Sequence, residues 1–414
     1  MISKIYLKTK DLIYHYQFTK MKNETLFSAS DVDFEILKQR AYNFRWATVE
    51  EGVIPLTAAD PDFPIAKPII TAIQDYSNAG YFSYSPAEGL PEFKQAISFW
   101  YLTQHHSKVN PNFVLPVNSA ANGLYCIAKA ILDENDEVLI PNPVDFLFRK
   151  SVENAKGKVI PCEFDAASGS FNLDELQSKC TNRTKAFFIC NPNNPSGKTL
   201  SKEHLQDIIS FCKANDLWLV SDEIWIDIYF SEKLTSILHS ELPAYSKKLV
   251  VSGLSKNFGL AGLRVGYVIC QDNESFDLIL NHSDHLTTAG GIASLSQIAG
   301  AAAFNDSLYW LEAFRDHLKK MKKRTEEFIA EMHFLELVPS EATYVIFPKI
   351  VNCSMSSAEV VELILTEAKV ALVPGGRNWF ESASEGHLRI CFSTSEDVLL
   401  EAFDRIRSIQ HLIQ

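Results

Sequence analysis

Ser252-Gly253-Leu254-Ser255-Lys256-Asn257-Phe258-Gly259-Leu260-Ala261-Gly262-Leu263-Arg264-Val265-Gly266 follows directly on the apolar run Lys248-Leu249-Val250-Val251 and sets one lysine and one arginine eight residues apart among small residues. A lysine in a packed segment must bury its charge or lose it, and desolvation lowers an ammonium pKa by up to several units. An amine so placed is a natural imine former. Ser255 and Arg264 offer what a phosphate requires, a hydroxyl beside a guanidinium that pairs phosphate oxygens bidentately. Read alone, the stretch also suits a plain strand-to-loop turn with solvated basic residues.

The chain has 414 residues, too many for one ordinary core, which points to two domains. Its 46% hydrophobic and 22% charged residues are those of a globular protein that can bury a large sheet. A net charge of -12 argues against a nucleic-acid backbone as partner. Eight cysteines are scattered without a CxxC pair and sit mostly in apolar runs such as Phe187-Phe188-Ile189-Cys190, so they read as reduced core residues rather than metal ligands. No apolar run reaches the length of a membrane span and no signal-peptide core is visible, so no membrane partner is expected and the cytoplasm is the expected compartment. Residues 1 to 30 have no clear period, and Met21 is a second candidate start.

From residue 112 short apolar runs alternate with helical stretches. Val114–Val117, Glu137–Ile140, Lys158–Pro161, Ala186–Cys190, Trp218–Ser221, Leu249–Ser252 and Arg264–Ile269 read as strands; 121–132, 144–154, 172–178 and 201–214 read as helices. This alternation predicts an α/β fold with a mostly parallel sheet covered by helices on both faces. Past residue 305 the pattern changes to a long charged helix (307–332), strand-like Ala342–Phe347, helix 356–368, strand-like Val370–Val373 and His387–Ser393, and helix 395–412. The expected division is an N-terminal extension and arm (1–57) that packs in part on the smaller unit, a large α/β domain (58–305) and a smaller α+β domain (306–414).

The lysine stretch, with its small-x-small-Lys and Gly-x-Arg-x-Gly frame, resembles the lysine motif of fold-type I, pyridoxal-phosphate (PLP) dependent aminotransferases of class I/II. The resemblance implies that Lys256 holds pyridoxal 5'-phosphate as a Schiff base, with Ser255 and Arg264 on its phosphate. In an open α/β sheet, ligands sit beyond the carboxyl ends of the strands, and four more loops there carry matching residues. Asn191-Pro192-Asn193-Asn194-Pro195-Ser196-Gly197, by composition a turn, is similar to the family's Asn-Pro-x-Asn-Pro-Thr/Ser-Gly signature and implies that Asn194 reaches the ring hydroxyl. In Val220-Ser221-Asp222-Glu223-Ile224-Trp225, Asp222 takes the place of the acid that keeps the pyridine nitrogen protonated; by itself a strand-end Asp is equally a helix cap. Trp225 stands where many relatives have a tyrosine that bonds the ring hydroxyl.

Val117-Asn118-Ser119-Ala120-Ala121-Asn122-Gly123 is a strand-to-helix turn, and free N–H groups at a helix start favour phosphate. The resemblance gives that task to the amides of Ala121 and Asn122, with Ala120 replacing the family's usual glycine. In Pro141-Asn142-Pro143-Val144-Asp145-Phe146-Leu147-Phe148, register puts Asp145 where the family stacks an aromatic on the ring. An acid cannot stack, so Phe146 is assigned the ring face. Arg389, in Leu388-Arg389-Ile390-Cys391-Phe392, resembles the arginine that clamps the substrate α-carboxylate, where an internal ion pair is the alternative. Tyr84, five residues before Gly89, resembles the tyrosine that reaches the phosphate of a neighbouring subunit and implies a homodimer with shared active sites.

The implied activity is transamination between an amino acid and a 2-oxo acid. Ala59-Asp60, in place of Gly-Asp or Gly-Glu, and Trp225 in place of tyrosine leave a β-eliminating C–S lyase of the cystathionine β-lyase type as the alternative. A non-catalytic PLP-binding regulator would need a DNA-binding module that residues 1–50 do not offer. Substrate selectivity is expected around Ala59, Trp225, residues 281–292 and Pro374–Phe380, with Arg377, Trp379 and Phe380 as candidate pocket residues.

Overall fold

A computed structural model describes residues 26–287 and 289–414; the unpatterned first 25 residues, Met21 included, lie outside the described part. An eight-stranded sheet runs in the spatial order Val114–Val117, Gly266–Ile269, Lys248–Gly253, Trp218–Asp222, Thr184–Cys190, Glu137–Asn142, Lys158–Asp165, Ser170–Phe171. Gly266–Ile269 is antiparallel to both its neighbours, and Ser170–Phe171 is antiparallel to Lys158–Asp165; the remaining ladders are parallel.

The strands are apolar on both faces, because each face has its own core. Leu139, Phe187, Ile189, Leu219 and Val250 point into one cluster, whereas Val138, Ile140, Phe188, Val220 and Val251 point into the other, as the period of two along a strand requires. Pro91–His105, Lys202–Ala214 and Ser294–Asp306 cover the first face; Ala120–Ile131, Leu147–Asn154 and Asn273–His282 cover the second. Each of these fully buried large side chains contributes roughly 1.5–3 kcal/mol by leaving water.

Two helices had no signal in the sequence pattern. Asn273–His282 starts on an Asp272 cap, its Oδ1 accepting from Ser275 N at 2.8 Å. Ser294–Asp306 is built of small residues without an apolar stripe, and its Gly300 lets it close on Phe93, whose ring carbon lies 2.5 Å from where a Cβ would stand.

In the C-terminal part, Leu308–Glu331 packs on Glu396–Ile409, with Phe328 and Phe403 stacked at 4.0 Å. Val345–Ile346, Leu388–Cys391 and Val373–Pro374 form a three-stranded antiparallel sheet. The strands here are shorter than their apolar runs, and the helix expected over 356–368 is α over Ser357–Leu363 and widens to a π turn over Ile364–Ala368. Ile54–Pro55 pairs in parallel with Val370–Ala371 and so ties the segment before the large sheet to this part of the chain.

Candidate active site

Five of the parallel strands end at Val117, Asn142, Cys190, Asp222 and Gly253, and the loops after these ends border a cavity of about 330 Å³. The glycine frame of the lysine stretch has a steric cause. A Cβ on Gly266 would stand 2.6 Å from Ser119 C and 2.7 Å from Ala120 N, so only glycine lets the start of helix Ala120–Ile131 press against the strand pair. Leu254 and Phe258 are fully buried on either side of Lys256, and Asn257 Nδ2 donates to Asp227 Oδ2 at 2.7 Å. These anchors leave Lys256 as the residue that turns into the cavity.

Lys256 Nζ donates to Ala59 O at 2.6 Å and lies 5.4 Å from the centre of the Trp225 ring. Burial pulls its pKa below the ordinary lysine value, with the Asp60 carboxylate acting in the opposite sense. Tyr344 Oη donates to the same Ala59 oxygen at 3.1 Å. The loop carrying that carbonyl is pinned by Arg45, which pairs with Asp62 in a fully buried ion pair and donates to Ala58 O, and by Trp46 Nε1, which donates to Asp62 Oδ1 at 2.9 Å.

Asp222 closes its strand with a buried carboxyl whose Oδ1 accepts from Ile224 N at 3.0 Å. Burial raises its pKa to about 7, with the nearby Asp145 and Glu223 acting in the same sense. Asn194 Nδ2 donates to Asp145 Oδ2 at 3.0 Å, and its Oδ1 accepts from Arg389 Nη1 at 3.1 Å. Arg389 Nη2 donates to Thr57 O at 3.0 Å, its guanidinium lies 4.9 Å from the centre of the Phe380 ring, and its Nε is buried without a partner among the described residues. Burial lowers the Arg389 pKa, and Asp145 is the largest opposing charge.

At the opposite end Arg264, in the left-handed region at φ 51°, donates from Nη2 to Ser119 Oγ at 3.1 Å. Ser255, Ala120 and Ala121 line this end. The first N–H groups of a helix have no carbonyl one turn back and are available to an anion.

Ten of the twelve residues singled out in the sequence line this one cavity: Lys256, Asp222, Asn194, Ser255, Arg264, Ala121, Phe146, Trp225, Arg389 and Ala59. Asn122 does not. Its N–H donates to the Ser119 cap at 3.1 Å and its Oδ1 accepts from Asn118 N at 3.3 Å, so the amide expected on a phosphate is already used by the helix start. Tyr84 is 89% exposed and is not among the residues that line this chain's cavity; its expected contact is with a second subunit. Trp379 and Phe380 line the cavity, whereas Arg377 borders a separate one with Arg149 and Glu381, where its carbonyl accepts from Arg149 Nη2 at 3.2 Å. Phe146 sits edge-on to Trp379, ring centres 6.3 Å apart. Tyr344, Thr57 and the Asp145–Asn194 bond had no sequence signal, since each depends on contacts between segments distant in the chain.

The donor set fits pyridoxal 5'-phosphate: an amine of lowered pKa, a buried carboxyl, a helix start beside Ser255 and Arg264, and an arginine with an unpartnered buried N–H. Among the described residues no cluster of His, Cys, Asp and Glu is arranged to hold a metal ion, no helix is long and apolar enough to cross a membrane, and all eight cysteines are unpaired.

The sequence matches the family described as aminotransferase class I and II over residues 51–406. It is 31% identical over 363 residues to an aspartate aminotransferase of Pyrococcus abyssi, covering 87% of this chain and 92% of that protein. It is 29% identical over 364 residues to aromatic-amino-acid aminotransferase 2 of Thermococcus litoralis, with 87% and 92% covered. The fold matches the crystal structure of an aromatic aminotransferase from Pyrococcus horikoshii OT3 with a TM-score of 0.81 at 29% identity, over 88% of this chain and 98% of that one. An aspartate aminotransferase from Thermotoga maritima matches with a TM-score of 0.79 at 26% identity, over 91% and 95%. The chain belongs to the class I and II aminotransferases, a PLP-dependent family of fold-type I, and is a transaminase.

Proposed function

We propose that this transaminase works at the cavity around Lys256, with pyridoxal 5'-phosphate as cofactor and an amino acid and a 2-oxo acid as substrates. The observation that carries the reading is the convergence of Lys256, Asp222 and Arg389, which come from three distant segments, on one cavity of about 330 Å³. When bound, the cofactor supplies an aldehyde that couples to amines and a ring that accepts the electron pair released at the substrate α-carbon.

Lys256 would hold the aldehyde end of the cofactor. Its lowered pKa raises the neutral fraction of the amine, which is the form that a nucleophile and a base require. Freed from the cofactor, Nζ would be the base placed to take and return the substrate α-proton. Asp222 would hold the ring nitrogen and, as a carboxylate, keep a proton on it. Arg389 takes the substrate carboxylate with its unpartnered N–H and fixes the direction of the Cα–H bond. Ser255, Arg264 and the Ala121 amide would hold the phosphate and Asn194 the ring hydroxyl, while Trp225, Phe146, Ala59 and Trp379 line the same cavity.

The same reading divides the chain into an arm (1–57), a cofactor-binding unit (58–305) and a smaller unit (306–414). The pairing of Ile54–Pro55 with Val370–Ala371 supports the arm's place on the smaller unit. The protein works in the cytoplasm as a homodimer, Tyr84 reaching the partner's phosphate site; the exposed Tyr81, Phe82 and Tyr84 support such an interface.

The test is an absorbance scan of the PLP-loaded protein mixed with single amino acids and no 2-oxo acid, with pyruvate and ammonia assayed alongside. Loss of the lysine-bound cofactor band and growth of the pyridoxamine phosphate band is the expected result, and it names the donor class. A persistent band with pyruvate and ammonia released from cystathionine would reassign the chain to the C–S lyases. A spectrum that Lys256→Ala leaves unchanged would remove Lys256 from the site.

A further inference from the structure

Asp145 is an acid inside the cavity to which the steps above give no task. Three bonds fix it. Its Oδ1 accepts from Leu147 N at 3.1 Å, its Oδ2 accepts from Asn194 Nδ2 at 3.0 Å, and its own N–H donates to Asn194 O at 3.2 Å. Asn194 then continues to Arg389, whose Nη1 donates to Oδ1 at 3.1 Å.

The chemistry of the two ends leaves the amide no choice. Burial raises the Asp145 pKa against the pull of Leu147 N and Arg389, but a guanidinium only donates hydrogen bonds, so the Asn194 oxygen must face Arg389 and its NH2 is left to donate to Asp145. Asn194 and Arg389 are both buried, and among the described residues Arg389 otherwise donates only to the Thr57 carbonyl. The arginine thus meets two uncharged oxygens, and its nearest compensating charge is one residue removed. A carboxylate in direct contact would have filled the guanidinium fork. Placed behind Asn194, it orients the arginine and leaves Nε open.

We propose that Asp145 is a positioning residue that locks the Asn194 amide and through it sets Arg389 with its fork open to the carboxylate of the substrate. The proposal rests on the reading of Arg389 as the carboxylate clamp. A ring-stacking side chain at this position could not perform the task, because it offers no acceptor to the Asn194 NH2.

Calorimetric titration of the PLP-loaded enzyme with 3-phenylpropanoate, a carboxylate without an amine, tests it, and 3-phenylpropanamide is the uncharged control. Asp145→Ala is expected to weaken 3-phenylpropanoate by about tenfold and to leave the amide unchanged, the loss fitting one hydrogen bond to a charged group. Asp145→Asn keeps an oxygen acceptor and stays within about threefold of wild type. Asp145→Glu keeps the charge but displaces the oxygens, and weakens binding as Asp145→Ala does; it carries the test if Asp145→Ala does not fold. In an Asn194→Ala background Asp145→Ala adds less than about twofold, because the relay is already cut.

Wild-type binding by Asp145→Ala or by Asp145→Glu, or losses from Asp145→Ala and Asn194→Ala that multiply, would overturn the proposal. Arg389→Met separates the two readings. If it leaves the preference for carboxylate over amide intact, the clamp reading falls and the proposal with it. If it abolishes the preference while the Asp145 variants are silent, the proposal alone falls.

Discussion

Replacing Asp222 by asparagine is expected to stabilise the cofactor-free protein at alkaline pH while weakening its hold on the cofactor. The folded protein titrates this carboxyl at about 7, because burial penalises the charge, against an ordinary value of 3.8. Between those pH values the folded state therefore holds a proton that the unfolded state has lost. Stability falls as pH rises wherever the folded state binds more protons, so this carboxyl costs nothing below about pH 4 and its full penalty above about pH 7. At about 1.4 kcal/mol per pH unit the full penalty is roughly 4 kcal/mol, and about 2–3 kcal/mol of it develops between pH 5 and pH 8.

Asparagine carries no such proton and still offers Oδ1 to Ile224 N, the one hydrogen bond the carboxyl makes among the described residues. Glu223, which titrates near the same pH, is present in both proteins, and its repulsion of the Asp222 charge is part of the penalty that asparagine removes. Urea unfolding of cofactor-free wild type and Asp222→Asn at pH 5 and pH 8 reads the effect. The variant's advantage grows by about 2–3 kcal/mol from the lower to the higher pH. A difference that is flat with pH would refute the reasoning, and so would one that shrinks toward alkaline pH. Cofactor titration then tests the functional half: the variant binds pyridoxal 5'-phosphate more weakly, because an amide cannot take the charge of a protonated ring nitrogen.

Three further outcomes follow from the packing. Arg45→Met leaves Asp62 buried without its cation and costs about 3–5 kcal/mol, read as a lowered melting temperature, and adding Asp62→Asn recovers most of the loss. Gly266→Ala forces a Cβ against Ser119 and Ala120 and costs about 1–3 kcal/mol together with cofactor affinity, whereas at Gly262, where an added Cβ would meet no described residue beyond its chain neighbours within 4 Å, the same change stays within about 0.5 kcal/mol; equal effects would show that the glycine frame is not steric. Phe403→Ala removes the ring stacked on Phe328 at 4.0 Å and costs about 3–5 kcal/mol by urea unfolding, and a wild-type midpoint would remove that contact from the core.

Much of this site was legible along the chain because its parts are local motifs. Lys256 with Arg264, Asn194 in its Asn-Pro loop, and Asp222 at a strand end each combine a special side chain with turn residues or a sheet edge, and such combinations show in one dimension. The parallel sheet was legible for a related reason: strands apolar on both faces alternate with helices, and only a sheet covered on both sides accommodates that pattern. Helix Ser294–Asp306 was not legible. Its small residues give no stripe, and what holds it is a fit against Phe93 that exists only after folding.

The assignment of hydrogen bonds was decided by tertiary structure alone. Asn122 looked like a phosphate donor, yet the Ser119 cap takes its N–H. Asp145 looked like a misfit at a stacking position, yet it holds Asn194, which holds Arg389 across a separation of 195 residues. The sequence by itself determined which chemical groups this protein owns and in which loops they lie, since composition and spacing are properties of the chain. Which donor meets which acceptor was settled by the fold, because every buried polar group must find its partner among whatever neighbours the packing brings within about 3 Å.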